Sequence, residues 1–365
     1  MPREKIANRQ LLFILFMMRT TIVISFLPVL TSADALQDGW LAAILAFFGG
    51  AAFIFIIGGL GIRFPQDTIV SYGTKILGKW PAKLIGLVLV WAFLVIAATD
   101  TRLYAEAIVS GYLPDTPVEF LIVSMMALSV LAAYAGIEVI GRCADVLFPL
   151  FTASVLFSLF AALPQISLSE LQPVFARGFG PVLRGAIVPS IITAQYLSLT
   201  VLTPHTNAPK KALGTALWAL AASSVILVMA AAGAVAILGP SRASRVTFPF
   251  FVMVRATQLS EFLERLEVLV TVAWGFGLFV GVSVFLFCSA RLLAEVLNVS
   301  SYRLLLGPML VLWSSFSLHA YRDVFQVYAF FKPSVAGPFA ASLILLPMGL
   351  LWIGYAISAT RRKKQ

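Results

Sequence analysis

The 365-residue chain predicts an all-α integral membrane protein of about ten transmembrane helices, arranged as a five-plus-five inverted repeat whose first and sixth helices are discontinuous. Three observations carry this fold class. Hydrophobic residues make up 60% of the chain and charged residues only 12%, about half the charged share of a soluble domain. Apolar runs of membrane-spanning length follow one another between charged or Pro/Gly-rich breaks, and about 20 helical residues cross a hydrocarbon core about 30 Å thick. The first and sixth runs share one irregularity, a polar interruption about two helical turns before a proline.

The runs fall at roughly 11–31, 40–62, 82–109, 117–136, 144–164, 181–203, 212–238, 266–294, 303–319 and 339–358. Backbone groups in lipid must bond within the segment, and these runs are too long and too continuously apolar for barrel strands, so they are helices. The first follows Arg3, Lys5 and Arg9 as a signal peptide would. It exceeds the usual apolar core of such a peptide, and no small-residue cleavage site is well placed near Ser32 and Ala33, so it reads as a retained helix. Two shorter pieces, Thr68 to Gly78 and the stretch 240–265, read as surface or re-entrant helices. The whole is one transmembrane domain, with repeat one at about 10–164 and repeat two at about 181–359.

Orientation follows from Lys and Arg. With the amino terminus in the cytoplasm, that side collects 16 of the 26 basic residues and the other side nine, with Arg19 inside the first run. The bias toward the cytoplasmic side places both termini there. The loop 240–265 resists, with Arg242, Arg245, Arg255 and Arg265 outside, partly offset by Glu261 and Glu264. The net charge of +10 is accounted for by loops facing anionic membrane lipid, and no nucleic-acid partner is expected.

The first run reads Arg19-Thr20-Thr21 in its middle and leaves through Ser25-Phe26-Leu27-Pro28. The sixth reads Thr193-Ala194-Gln195-Tyr196 and leaves through Val201-Leu202-Thr203-Pro204. Five spans per half invert the second half, so the two interruptions meet near the midplane, where half-helix ends offer N–H groups to a carboxylate and carbonyls to an ammonium group. Amino acids carry both groups. The alternative is that these threonines and serines bond back to the turn before them in intact helices.

Ionisable residues at depth need partners. Arg102 and Glu106 stand four apart beyond Asp100 on the third span, a spacing that forms a structural ion pair and that an exchange of the two charges would preserve. Glu138 and Arg142, with Asp145, form a second such pair at the entry to the fifth span. Arg291 and Glu295 read as a solvated helix end. Arg19 either snorkels to the surface or meets an anionic group or Asp100. Two cysteines, Cys143 and Cys288, and two histidines, His205 and His319, leave no disulfide scaffold, metal cluster or catalytic triad to assemble, so neither enzyme activity nor a cofactor is expected.

The chain resembles the spore germination permeases, the B subunits of endospore germinant receptors in the amino acid, polyamine and organocation transporter superfamily. The resemblance is carried by Asp38-Gly39-Trp40, Leu77-Gly78-Lys79-Trp80, and Arg102 to Glu106 with Tyr112-Leu113-Pro114-Asp115-Thr116-Pro117. Gly136-Ile137-Glu138-Val139-Ile140-Gly141-Arg142, Pro209-Lys210-Lys211-Ala212-Leu213, Phe248-Pro249-Phe250-Phe251 and Phe262-Leu263-Glu264-Arg265-Leu266-Glu267 extend it along the chain. It implies a leucine-transporter-type fold, the spore inner membrane, a small germinant such as an amino acid, and two partners, an A subunit and a lipoprotein C subunit. Thr21 and Val23 stand where the family has glycines in span one, and Leu197 where it commonly has an acidic residue in span six.

Together the matched interruptions and the resemblance place a ligand pocket at Arg19, Thr20 and Thr21 of span one and Thr193, Ala194, Gln195 and Tyr196 of span six. Span three walls it at Ile96, Ala97 and Asp100, and span eight at Phe279, Val280 and Gly281. Gly275, Gly277 and Gly281 serve either close packing or room for a ligand. The expected function is ligand sensing that triggers germination; an ion-coupled secondary amino-acid transporter shares the scaffold.

Overall fold

The structure, a computed structural model, describes residues 4–255 and 266–362. Helices α1 (Asn8–Ser25) and α2 (Leu27–Ala35) flank a break at Phe26, whose backbone leaves the helical region at φ −146° and ψ −3° just ahead of Pro28. A 3-10 turn, Leu36–Asp38, leads to α3 (Gly39–Gly58), and the first half continues with α4 (Ile69–Leu77), α5 (Lys79–Gly111), α6 (Val118–Ala135) and α7 (Ile137–Ala161). The second half opens with α8 (Phe179–Ile192), a 3-10 segment Thr193–Ser198 and α9 (Leu199–Leu202). It goes on through α10 (Ala212–Leu238), the short α11 (Pro240–Ala243) and α12 (Pro249–Arg255), α13 (Leu266–Leu297), α14 (Arg303–His319) and α15 (Val324–Phe330). The last span is α16 (Pro333–Ala340) and α17 (Leu346–Arg362), joined by a π-turn, Ala341–Leu345.

Among the described residues, eight helical stretches are long and apolar enough to cross a membrane, and nine if α14 and α15, bent by 100°, count as one broken span. The difference from ten lies at the amino terminus. Arg9 and Arg19 lower the apolarity of α1, and Leu27–Gly58 counts as one 32-residue stretch although the chain turns back inside it. A Cβ built on Gly39 would lie 2.6 Å from Ser32 Oγ and 3.3 Å from Ser32 Cα, whereas residues seven apart in a straight helix are separated by about 10 Å. The expectation for span one also needs correcting, because α1 runs unbroken through Arg19, Thr20 and Thr21 and breaks at Phe26 instead. Thr21 Oγ1 donates to Met17 O at 2.7 Å, so this threonine bonds back to the previous turn.

Repeat-related spans meet in the middle: α3 packs on α10 and α5 on α13, while α1 lies against α10 and α13 and α8 against α3. The long spans carry apolar residues on every face, because one side meets lipid, as at Phe48, Phe55 and Trp91, and the other the core, as at Phe93, Trp274 and Trp313. The expected surface helix is α4, capped by Thr68. In the stretch 240–265, α11 and α12 are present; Glu261, Glu264, Arg265 and Phe262 lie outside the described residues.

The amino-terminal segment ties one end of the bundle together. Ile6 N donates to His205 O at 2.8 Å and Asn207 N to Ile6 O at 2.9 Å. Glu4 accepts from Ile137 N at 3.0 Å and from Arg303 Nη2 at 3.1 Å, and Asp145 accepts from Arg9 at 3.1 Å and Gln10 at 2.8 Å. These bonds put the amino terminus, the α6–α7 turn, the loop before α10 and the start of α14 on one face. Glu138 accepts from Lys5 N at 3.0 Å and reaches Arg142 at 3.6 Å, with both side chains well exposed; it anchors the amino terminus more than it pairs within its helix. Glu295 is likewise no solvated helix end, because it accepts a hydrogen bond from Thr68 and lines a polar cavity with Arg291 and His205.

Candidate functional site

The sixth span changes character where the sequence expected it. Pro189 removes an N–H donor from α8, and four residues later the chain tightens into the 3-10 segment Thr193–Ser198, all six residues of which are buried. Hydroxyls satisfy carbonyls around it: Ser198 Oγ donates to Gln195 O at 3.3 Å, Thr200 Oγ1 to Leu197 O at 2.7 Å and Thr203 Oγ1 to Leu199 O at 2.6 Å. A 3-10 turn repeats every three residues. Thr193 and Tyr196 therefore share one face, while Ala194 and Gln195 occupy the others.

Ala194 and Gln195 line a cavity that leaves about 40 Å³ for the centres of water-sized molecules. Its walls come from Ile22 of α1, from Ile96, Thr99 and Asp100 of α5, and from Val188, Ile191 and Ile192 of α8. Phe330 and Phe331, with Ala336 and Phe339 of α16, close it. Its one polar corner is Asp100, whose Oδ2 accepts from Gln195 Nε2 at 2.9 Å, both side chains being buried. The carbonyl oxygen Gln195 Oε1 has no hydrogen-bond partner.

Helix α5 also holds the lid of this cavity. Thr99 Oγ1 and Tyr321 Oη lie 2.6 Å apart, and Ser317 Oγ donates to Ala98 O at 3.0 Å. Arg102 donates to Glu106 Oε1 through Nε at 2.8 Å and Nη2 at 2.5 Å, then reaches beyond its expected partner to Leu318 O at 3.1 Å and Arg322 O at 3.0 Å. The Arg102–Glu106 pair thus clamps the turn between α14 and α15, which carries Phe330 and Phe331. Phe331 packs on Phe26, with ring centroids 4.4 Å apart, so the break in the first span touches the lid.

Ile96, Asp100, Ala194 and Gln195 come together here. The other residues named from sequence do not line the cavity. Ala97 is buried on another side of α5. Arg19 is fully buried, neither snorkelling nor paired with Asp100; Nε donates to Thr193 Oγ1 at 3.4 Å and Nη1 to Ser223 Oγ at 3.1 Å. Thr193 and Tyr196 face that guanidinium, and Thr20 and Thr21 sit in intact helix. Phe279, Val280 and Gly281 lie away from the cavity because the small residues of α13 bring it tight against α1. A Cβ on Gly277 would fall 1.8 Å from Thr21 Oγ1, and one on Gly281 3.4 Å from Met18 Cγ. Sequence reasoning missed Ile22, Thr99 and the phenylalanines 330, 331 and 339. The signal available was the apolar string Val324-Phe325-Gln326-Val327-Tyr328-Ala329-Phe330-Phe331 inside what reads as a loop.

Residues 5–323 match the model of the family described as "Spore germination protein". Spore germination protein KB of Bacillus subtilis (strain 168) is 25% identical over 295 residues, covering 79% of this chain and 78% of its own. Spore germination protein XB of Bacillus anthracis is 24% identical over 261 residues, covering 70% and 72%. Among solved structures, MhsT in complex with L-phenylalanine superposes with a TM-score of 0.67 at 18% identity, over 94% of this chain and 89% of that one. A Na+-coupled sialic acid symporter superposes with a TM-score of 0.63 at 12% identity, over 92% and 78%. Both show the leucine-transporter fold, and the chain is an integral membrane protein belonging to the spore germination protein family.

Proposed function

We propose that this protein is the ligand-binding membrane subunit of a spore germinant receptor, sensing a small germinant such as an amino acid in the cavity beside Thr193–Ser198. The observation that carries the reading is the polarity of that cavity. Its single polar corner presents acceptors, the Asp100 carboxyl and the unpartnered Gln195 Oε1, which suit an ammonium group. The remaining walls, Ile22, Ile96, Val188 and the phenylalanines, suit an apolar side chain. MhsT, of the same fold, was solved with L-phenylalanine, an amino acid of that chemistry.

In this reading the protein sits in the spore inner membrane with both termini on the core side, beside an A subunit and a lipoprotein C subunit that relay the signal. Ligand-induced movement of the α14–α15 turn is the step that reports occupancy. The test is direct binding of apolar L-amino acids to the purified protein together with flux in liposomes. Saturable binding without accumulation of labelled amino acid supports a sensor. Accumulation above protein-free liposomes supports the ion-coupled transporter instead, and absence of binding overturns the site.

A further inference from the structure

On the opposite face of the same 3-10 segment, the structure presents a second, separate site. Arg19 is fully buried, and a guanidinium is charged near neutral pH. It donates to the neutral hydroxyls of Thr193 and Ser223, and Nη2 has no partner. No acidic side chain among the described residues lies within ion-pairing distance of it. Ser223 Oγ already donates to Leu220 O at 3.0 Å, so it accepts from Arg19 and has no proton left to give. The Tyr196 hydroxyl lies beside the guanidinium and is directed at the same Ser223 oxygen that Arg19 uses, while the buried hydroxyls of Thr20 and Ser224, next in sequence to Arg19 and Ser223, have no partner.

A buried charge without a counter-charge is strongly destabilising, and inside a membrane the alternatives to pairing are few. Arg19 Nη2 is left over as a donor, and Tyr196 Oη, a second donor, competes with Arg19 Nη1 for the single Ser223 oxygen. Donors around a fixed positive charge select an anion, and the tight packing here, where a Cβ on Gly50 would lie 2.6 Å from Thr193 Oγ1, restricts any such anion to a small one. We propose that Arg19 and Tyr196, between α1, the 3-10 segment and α10, bind a small monovalent anion such as chloride.

This site is distinct from the ligand cavity, whose lining includes neither Arg19 nor Tyr196 nor Ser223 and whose polar corner presents acceptors rather than donors. The two share the backbone of Thr193–Ser198. An anion that fixes Thr193 and Tyr196 also fixes Ala194 and Gln195, so anion and cavity ligand are expected to bind with positive coupling.

The test is thermal unfolding of the purified wild-type protein in a chloride series, balanced with gluconate at constant ionic strength and repeated with bromide. The wild type is expected to show a saturable rise in Tm with either halide. Arg19→Met, which replaces an unpaired charge by an apolar chain of similar length, is expected to equal or exceed the wild type without halide and to show no rise with it. Tyr196→Phe keeps the rise but needs about tenfold more chloride or more to reach half of it, as loss of one hydrogen bond to a charged group implies. Equal Tm of the wild type in chloride and gluconate overturns the proposal, as does an undiminished rise in Arg19→Met. If Arg19→Met does not accumulate, Tyr196→Phe decides, and an unshifted chloride midpoint overturns it. Stabilisation by amino acids that Arg19→Met abolishes, with chloride inert in the wild type, assigns the guanidinium to a ligand carboxylate and also overturns the halide site.

Discussion

Replacing Arg102 by methionine removes more than an ion pair. The side chain makes two hydrogen bonds to Glu106 Oε1 and one each to Leu318 O and Arg322 O. Arg102's side chain is 6% exposed and that of Glu106 21%, so the Glu106 half of the interaction is partly screened by solvent and is discounted accordingly. The two carbonyl bonds are part-buried: a bond from a charged donor contributes about 1.5 to 3 kcal/mol, taken here at the low end, and both are lost together. With about 1.5 kcal/mol for each part-buried carbonyl bond and about 1 to 2 for the screened Glu106 half, the sum for Arg102→Met is about 4 to 5 kcal/mol, within the range for breaking a buried pair from one side. Glu106→Ala leaves Arg102 on its carbonyls and is expected to cost about 1 to 2 kcal/mol by the same reasoning. The helical spacing alone would have the exchange Arg102→Glu with Glu106→Arg restore the pair. The structure reverses that expectation, because a carboxylate at position 102 would face two carbonyl oxygens. The assay is the yield of monodisperse protein on size exclusion and the unfolding midpoint in detergent, with the order wild type, then Glu106→Ala, then Arg102→Met and the exchange together. Glu106→Ala as damaging as Arg102→Met, or recovery by the exchange, would refute the clamp.

Three further outcomes are expected. Gly277→Ala drives a methyl to 1.8 Å from Thr21 Oγ1 and should cost about 1 to 3 kcal/mol, partly recovered by adding Thr21→Ala, whereas Gly281→Ala, with its nearest atom at 3.4 Å, should leave the unfolding midpoint unchanged. Phe339→Ala opens the cavity wall and should shift binding toward bulkier apolar amino acids, read from competition against a labelled ligand. Leu346→Ala, on a lipid-facing side chain 60% exposed, should change stability by less than about 0.5 kcal/mol and leave ligand affinity alone.

Span placement was readable because lipid imposes length and apolarity on each segment independently, so α10 falls on the predicted run 212–238 to the residue. The interruption of span six was readable from its polar string, and that of span one was misplaced by one and a half turns. Arg19-Thr20-Thr21 looks like a break when read along the chain. In three dimensions the helix stays intact because Thr21 bonds back to Met17 and Arg19 reaches across to Thr193 and Ser223. The glycines of α13 carried two readings, and only the distance from Gly277 to Thr21 separates them. The aromatic lid was invisible for a different reason. It depends on the 100° bend between α14 and α15, set by Arg102 acting on main-chain carbonyls more than 200 residues away, and a main-chain acceptor leaves no trace in sequence.

The central claim is that the cavity beside the 3-10 segment holds the germinant. The most direct measurement is a dose-response of germination for spores carrying Ala194→Leu, at protein levels matched to the wild type and with Leu346→Ala in parallel. A leucine at 194 projects into the roughly 40 Å³ left by Ile22, Ile96 and Phe331, so the midpoint should rise tenfold or more while Leu346→Ala stays at the wild-type value. A wild-type midpoint for Ala194→Leu, with the protein present and inserted, would place the germinant elsewhere.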